Sequence, residues 1–211
     1  TGTGSDVTIS HGLGRAPGMV ITKSRDDAYN WSVQSILWNS ASDTNMLYLN
    51  TTAAQADDTN VFSAAPTSSV ISPQGGGWSG IGASGVKYIS YVFAEIPGYS
   101  AIGTYTANNS SDGPMIYTNG MSPAFFMVKK YQTVGGDNWA IYDNARDPYN
   151  VMSKQLYPDA NSSEESSSAR NIDFLSNGIK IRGANSRIND GSHSFLYIAF
   201  ASSPFAYSTA R

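Results

Sequence analysis

The chain of 211 residues repeats its own sequence pattern, and this internal repeat limits its possible folds more than any other feature. The matched positions, in chain order, are Lys23 and Lys129, Trp31 and Trp139, and Phe93 and Phe200. These pairs lie 106, 108 and 107 residues apart. Separated matches at nearly one offset are hard to obtain by chance, so we predict two tandem copies of one unit, residues 1–105 and 106–211.

Both copies are rich in short runs of β-branched and aromatic residues, bounded by Gly, Pro, Asn and Ser. Such runs predict strands, and helical periodicity is almost absent, with residues 52–58 as the only helix candidate. The pair Asn177-Gly178, between residues 172–175 and 179–181, predicts a two-residue hairpin with both turn residues at positive φ. About six or seven strands per copy predict an all-β fold, an antiparallel β-sandwich or jelly roll. The pattern leaves open whether the copies form one sandwich or two.

The apolar runs that end at Phe93 and Phe200 are nearly continuous, which predicts central strands buried on both faces. We also expect Trp31 and Trp139 to occupy equivalent core positions. The segment 103–106 lies at the join between the copies, and its equivalent would precede Thr1. We therefore expect the chain to be a fragment of a longer protein, in which a preceding unit supplies the first strand.

Composition excludes several classes of partner. Only 14% of the residues are charged and the net charge is -3, with no basic cluster longer than Lys129-Lys130, so nucleic acid is not expected as a partner. The chain has no cysteine, which rules out disulfides and thiolate metal sites. No apolar run approaches the roughly 20 residues that span a bilayer, so membrane insertion is not expected.

Several phrases resemble a module of structural proteins in tailed bacteriophages, such as tail fibres. They are Ser-His-Gly-Leu-Gly at residues 10–14, Ala-Pro at 16–17, Tyr-Val-Phe-Ala-Glu at 91–95, Gly-Thr-Tyr-Thr at 103–106 and Ala-Arg-Asp-Pro-Tyr-Asn at 145–150. The resemblance covers nearly the whole chain. It implies a β-sandwich on an extracellular virion surface, with a host-surface glycan or receptor and other virion proteins as partners. It also implies a homo-oligomer, a trimer by analogy with fibre tips, and it carries over no catalytic residue.

Aromatic residues are the best indication of a binding site, because a flat ring with a polar rim suits a sugar face. Features present in one copy only are the strongest candidates for specific function. The first copy contributes Trp38 and Trp78, the latter in a Gly-rich segment typical of a loop. The second copy contributes a mixed aromatic and charged cluster: Tyr142, Asp143, Arg146, Asp147 and Tyr149. These seven residues are the predicted glycan-binding candidates.

Two other functions stay open. A purely structural capsid or decoration domain would lack a recessed polar and aromatic pocket. A glycan-cleaving enzyme would need two carboxylates in a cleft, and Glu95 is the most suggestive acid. His11 and His193 are the only histidines, and turn or strand-edge roles explain both. We therefore expect no enzymatic activity, no catalytic residue, no metal and no cofactor.

Overall fold

The computed structural model describes residues 1–35, 45–57, 61–75, 81–132 and 137–203. The chain divides into two compact units, Thr1–Ala94 and Glu95–Arg211. The described residues form seventeen strands in antiparallel sheets and one short 3₁₀ turn, Ser168–Arg170. The prediction of an all-β fold consistent with a β-sandwich is thereby confirmed.

The described strands of the first unit form two antiparallel sheets. Its strands are β1 (Ile9–Ser10), β2 (Met19–Ser24), β3 (Ser32–Ser35), β4 (Asn45–Tyr48), β5 (Ala56–Asp57), β6 (Phe62–Ala64), β7 (Val70–Pro73) and β8 (Tyr88–Phe93). One sheet has the order β5-β4-β3-β2-β8, and the other has the order β1-β7-β6. The helix predicted at residues 52–58 is wrong, because this stretch contains β5, which pairs with β4 at Met46.

The second unit is built in a similar way. Its strands are β9 (Ser100–Thr106), β10 (Met115–Tyr117), β11 (Pro123–Lys130), β12 (Ala140–Asp143), β13 (Lys154–Gln155), β14 (Glu165–Ser166), β15 (Ile172–Leu175), β16 (Gly178–Ile181) and β17 (Ser194–Ala201). They form a four-stranded sheet, β12-β11-β17-β9, a three-stranded sheet, β10-β16-β15, and the pair β13-β14.

The strand orders of the two units correspond. The sheet β1-β7-β6 pairs Ile9 with Ile71, and the sheet β10-β16-β15 pairs Ile116 with Ile179 in the same place. Likewise β3-β2-β8 corresponds to β12-β11-β17, whereas β9 has no counterpart among the strands described in the first unit. The chain divides before β9 and not at residue 105, because β9 pairs with β17 over seven residues.

The two tryptophans matched by the repeat have the same backbone anchor. The Trp31 N–H donates to Asn50 Oδ1 at 2.8 Å, and the Trp139 N–H donates to Asp159 Oδ2 at 3.2 Å. Their rings differ, because Trp139 is fully buried while Trp31 is only half-buried and stacks on Tyr91 with centroids 6.4 Å apart. The shared position therefore packs tightly in the second unit only.

The two apolar runs also differ in burial. Five consecutive residues of β17 are buried and the strand is central in its sheet, as predicted. The same prediction is wrong for β8, which is the outer strand of its described sheet and alternates between half-buried and exposed residues along most of its length. A strand without a neighbour on one side leaves one edge and part of its surface in solvent.

The predicted hairpin connects β15 and β16 by two residues, with Leu175 paired to Gly178. The predicted positive φ at Asn177 and Gly178 is wrong, since neither residue is left-handed. Gly178 instead lies inside the sheet, where a Cβ atom would collide with the carbonyl oxygen of Ile116 on β10. The glycine is thus explained by close strand approach and not by turn geometry.

Candidate functional site

The predicted binding residues fall into two groups. Trp38 and Trp78 lie outside the described residues. The other five lie in the second unit. Tyr142 and Asp143 end β12, whereas Arg146, Asp147 and Tyr149 lie on the connection between β12 and β13, which we call the 144–153 loop. This loop and the strand before it position every described candidate.

Tyr142 belongs to the core of the second unit and not to its surface. The side chain is fully buried beside Phe126, with ring centroids 6.2 Å apart. Its hydroxyl donates to the Arg170 carbonyl oxygen at 2.6 Å and accepts a hydrogen bond from Gln155 Nε2. Burial raises the pKa of Tyr142 far above its usual value. Tyr142 therefore presents no surface to a ligand and leaves the candidate set.

Asp143 and Arg146 hold the start of the loop. Arg146 Nε lies 2.6 Å from Asp143 Oδ2, and the Arg146 N–H donates to Asp143 Oδ1 at 2.9 Å. Arg146 also reaches Glu164 Oε2 with Nη1 at 2.9 Å. Burial raises the pKa of Asp143, but the hydrogen bonds and charge of Arg146 outweigh it and leave this pKa below its usual range. The Asp143–Arg146 pair thus fixes the start of the 144–153 loop and serves as its brace.

Asp147 and Asn150 hold the rest of the loop. Asp147 Oδ2 accepts the N–H groups of Ser153 at 2.7 Å and Lys154 at 3.2 Å. The Asn150 amide bonds both backbone groups of Phe174 on β15: its Nδ2 donates to the carbonyl at 2.8 Å, and its Oδ1 accepts the N–H at 2.9 Å. Side chains that satisfy backbone groups in this way fix a turn without regular pairing.

Tyr149 lies between Asp147 and Asn150 in the sequence, and its side chain is 81% exposed. Val151, two residues later, is 50% exposed. Both apolar side chains project from backbone that is held by Asp147 and Asn150. The loop therefore displays a flat ring from a fixed position, with the polar groups of Asn150 next to it in sequence.

Sequence analysis missed a charged network on the β13–β14 pair. Arg170 and Arg187 both approach Glu165, and the Tyr157 hydroxyl donates to Glu165 Oε2 at 2.8 Å. The Arg187 guanidinium also stacks on the Tyr157 ring, 4.6 Å from its centroid. Hydrogen bonds from Arg170 and Tyr157 lower the pKa of Glu165 to about 2. The residues of this network are spread over thirty sequence positions, so no local sequence motif predicts it.

The first unit contains a cavity of about 520 Å³ between its two sheets. Tyr88, Ser90 and Val92 of β8 line one side, and Ile9 and Ile71 line the other. The Ser90 and Thr22 hydroxyls bond each other at 2.9 Å within its lining. His11 lies at the same cavity, with Nε2 3.1 Å from the Thr67 carbonyl and Nδ1 accepting the Leu13 N–H at 3.2 Å.

A model of a family described as a domain of unknown function, DUF7483, matches residues 1–204. The chain belongs to this family. No curated protein and no solved structure matches the sequence.

The described part of the DUF7483 chain shows neither a group of potential metal ligands nor a membrane-spanning helix. Within the five described ranges, no three His, Cys, Asp or Glu side chains form a group that could hold a metal ion. Over the same residues, no helix combines the length and the apolar character needed to cross a membrane.

Proposed function

We propose that this chain is a module of a bacteriophage virion appendage and binds a glycan on the host surface through the Tyr149 ring. The observation that carries the proposal is the 81% exposure of Tyr149 on a loop braced at Asp147 and Asn150. The resemblance to tail-fibre modules supplies the virion setting. The low charge and the many Ser, Thr and Asn residues suit an extracellular, hydroxyl-rich surface.

A braced aromatic ring suits sugar binding for a physical reason. The ring offers a flat apolar face to the C–H groups of a pyranose, and its hydroxyl can bond a sugar hydroxyl. Because the loop is already fixed by side-chain hydrogen bonds, little conformational entropy is lost when a ligand binds. Asn150 and the Arg146–Asp143 pair are engaged in bracing the loop, so the Tyr149 ring and hydroxyl are the groups that the loop offers to a sugar.

The test is a screen of the full chain on an array of bacterial O-antigen and capsular oligosaccharides. We expect at least one oligosaccharide to bind, and Tyr149→Ala to weaken that binding tenfold or more, about 1.4 kcal/mol. The Tyr149→Phe variant retains the ring and should lose less affinity than Tyr149→Ala. Tyr117→Ala is the matched control, because Tyr117 is 69% exposed in the same unit but lies on β10 and not on the loop.

The outcomes separate the alternatives. Binding that survives Tyr149→Ala but is lost in Trp78→Ala would move the site to the other predicted candidate and overturn the Tyr149 assignment. Absence of binding to every oligosaccharide on the array would favour a purely structural virion domain. Conversion of an oligosaccharide to shorter products would favour a glycan-cleaving enzyme instead.

A further inference from the structure

Strand β8 is the edge strand of its sheet among the described residues of the first unit. Its inner neighbour is β2, which pairs with it over six residues, and no described strand of the first unit pairs with its other edge. Ile89 and Tyr91 are 40% and 43% exposed, and the strand Tyr-Ile-Ser-Tyr-Val-Phe contains neither a charge nor a proline. Natural edge strands usually carry such protective residues, because bare edges recruit further strands.

The cavity of the first unit lies directly behind this edge. Tyr88, Ser90 and Val92, which alternate along β8, all face it. The opposite wall is mixed and includes Ile71 and Pro73 of β7 together with Ser10 and His11. A strand added to β8 would therefore point every second side chain into the cavity, since strand side chains alternate between faces.

The second unit shows the corresponding arrangement with the strand in place. There β17, the match of β8 at the 107-residue offset, is covered on its second edge by β9. Tyr105 of β9 turns into the core and stacks on Phe195, with ring centroids 5.1 Å apart and an interplanar angle of 10°. Its hydroxyl donates to the Ile188 carbonyl oxygen at 2.6 Å. The inward side chains of β9 therefore fill this space in the second unit.

We propose that β8 accepts an antiparallel strand of the β9 type, with a tyrosine opposite Tyr88, donated by a partner chain. In the register of the second unit, the tyrosine equivalent to Tyr105 would stack on Tyr88, the counterpart of Phe195 at the 107-residue offset. Its ring would enter the cavity between β8 and β7. The incoming backbone would complete the edge with main-chain hydrogen bonds, as in other cases of strand addition.

One position distinguishes the two acceptor strands. In the second unit Gly103 faces Tyr197, and a Cβ atom at Gly103 would lie 3.1 Å from the Tyr197 hydroxyl oxygen. The counterpart of Tyr197 on β8 is Ser90, whose side chain is much smaller. A donor strand for β8 should therefore tolerate a larger residue where β9 requires glycine.

The experiment uses a fluorescent peptide with the sequence of residues 98–107, titrated against the full chain and followed by anisotropy. We expect saturable binding, with amide hydrogen exchange in residues 88–93 slowed at least tenfold. A Tyr105→Ala peptide should bind at least tenfold more weakly, whereas a Gly103→Val peptide should bind as well as the parent peptide. Both substitutions are made in the peptide, so the same wild-type chain is used in every titration and its folding is not affected.

Absence of binding up to about 1 mM peptide would overturn the proposal. So would protection confined to residues outside β8, or weaker binding of the Gly103→Val peptide. Occupation of the cavity by an array oligosaccharide, with exchange slowed at residues 88–93, would make it a ligand site and would also overturn the strand assignment. None of these outcomes bears on Tyr149, which lies in the other unit.

Discussion

Replacement of Trp139 by alanine should destabilise the second unit strongly. The indole is fully buried, and the hydrogen bond from the backbone N–H of Trp139 to Asp159 is retained in the alanine variant. The loss therefore reports the removal of the buried indole side chain and should be about 3–5 kcal/mol. For a unit of this size, that corresponds to a decrease in Tm of at least about 12 °C.

Trp31→Ala is the matched control, because its backbone N–H is bonded to Asn50 in the same way. Its ring is half-buried, so its loss should combine the aromatic pair with Tyr91, about 0.5–1.5 kcal/mol, with the partial burial of the ring, and should stay below the loss for Trp139→Ala. Thermal unfolding gives the total change, and hydrogen exchange of peptides from β2–β3 and β11–β12 assigns it to a unit. Equal losses in the two variants, or a loss below about 1 kcal/mol for Trp139→Ala, would refute the packing argument.

Two further predictions concern charge and assembly. The folded-state pKa of Glu165, about 2, lies below its unfolded value of 4.5, so its stabilisation is complete above that unfolded value and is lost as the pH falls towards 2. The free energy of unfolding in urea should decrease between about pH 6 and about pH 3, and this decrease should be smaller for Glu165→Gln than for wild type. Equal decreases in the two proteins would contradict the role of the network. We also expect the intact parent protein to be a trimer in light scattering, by analogy with fibre tips, and a monomeric parent would contradict this expectation.

Local pattern was sufficient for part of the fold. The hairpin between β15 and β16 and the central position of β17 follow from runs of apolar residues and their spacing. The edge position of β8 could not be predicted in this way, since a nearly identical apolar run forms a central strand in the second unit. Which neighbour a strand has depends on chain segments far away in sequence, and the run itself does not encode it.

The binding candidates show a similar limit. Alternation along β12 places Ala140 and Tyr142 on the same buried face, so the burial of Tyr142 could have been predicted from its register. Asp143 and Asp147 each accept a backbone N–H group, which is a common role of acidic residues in turns. The exposure of Tyr149 depends on the contact of Asn150 with β15, which lies twenty-four residues away and leaves no local signal.

The most direct test of the proposed function is a crystal structure of the chain with the array oligosaccharide that binds most tightly. The proposal predicts a sugar ring lying against the Tyr149 face at van der Waals distance, about 4 Å, with sugar hydroxyls bonded to groups of the 144–153 loop. An oligosaccharide bound elsewhere on the chain, with the Tyr149 ring in solvent, would contradict it.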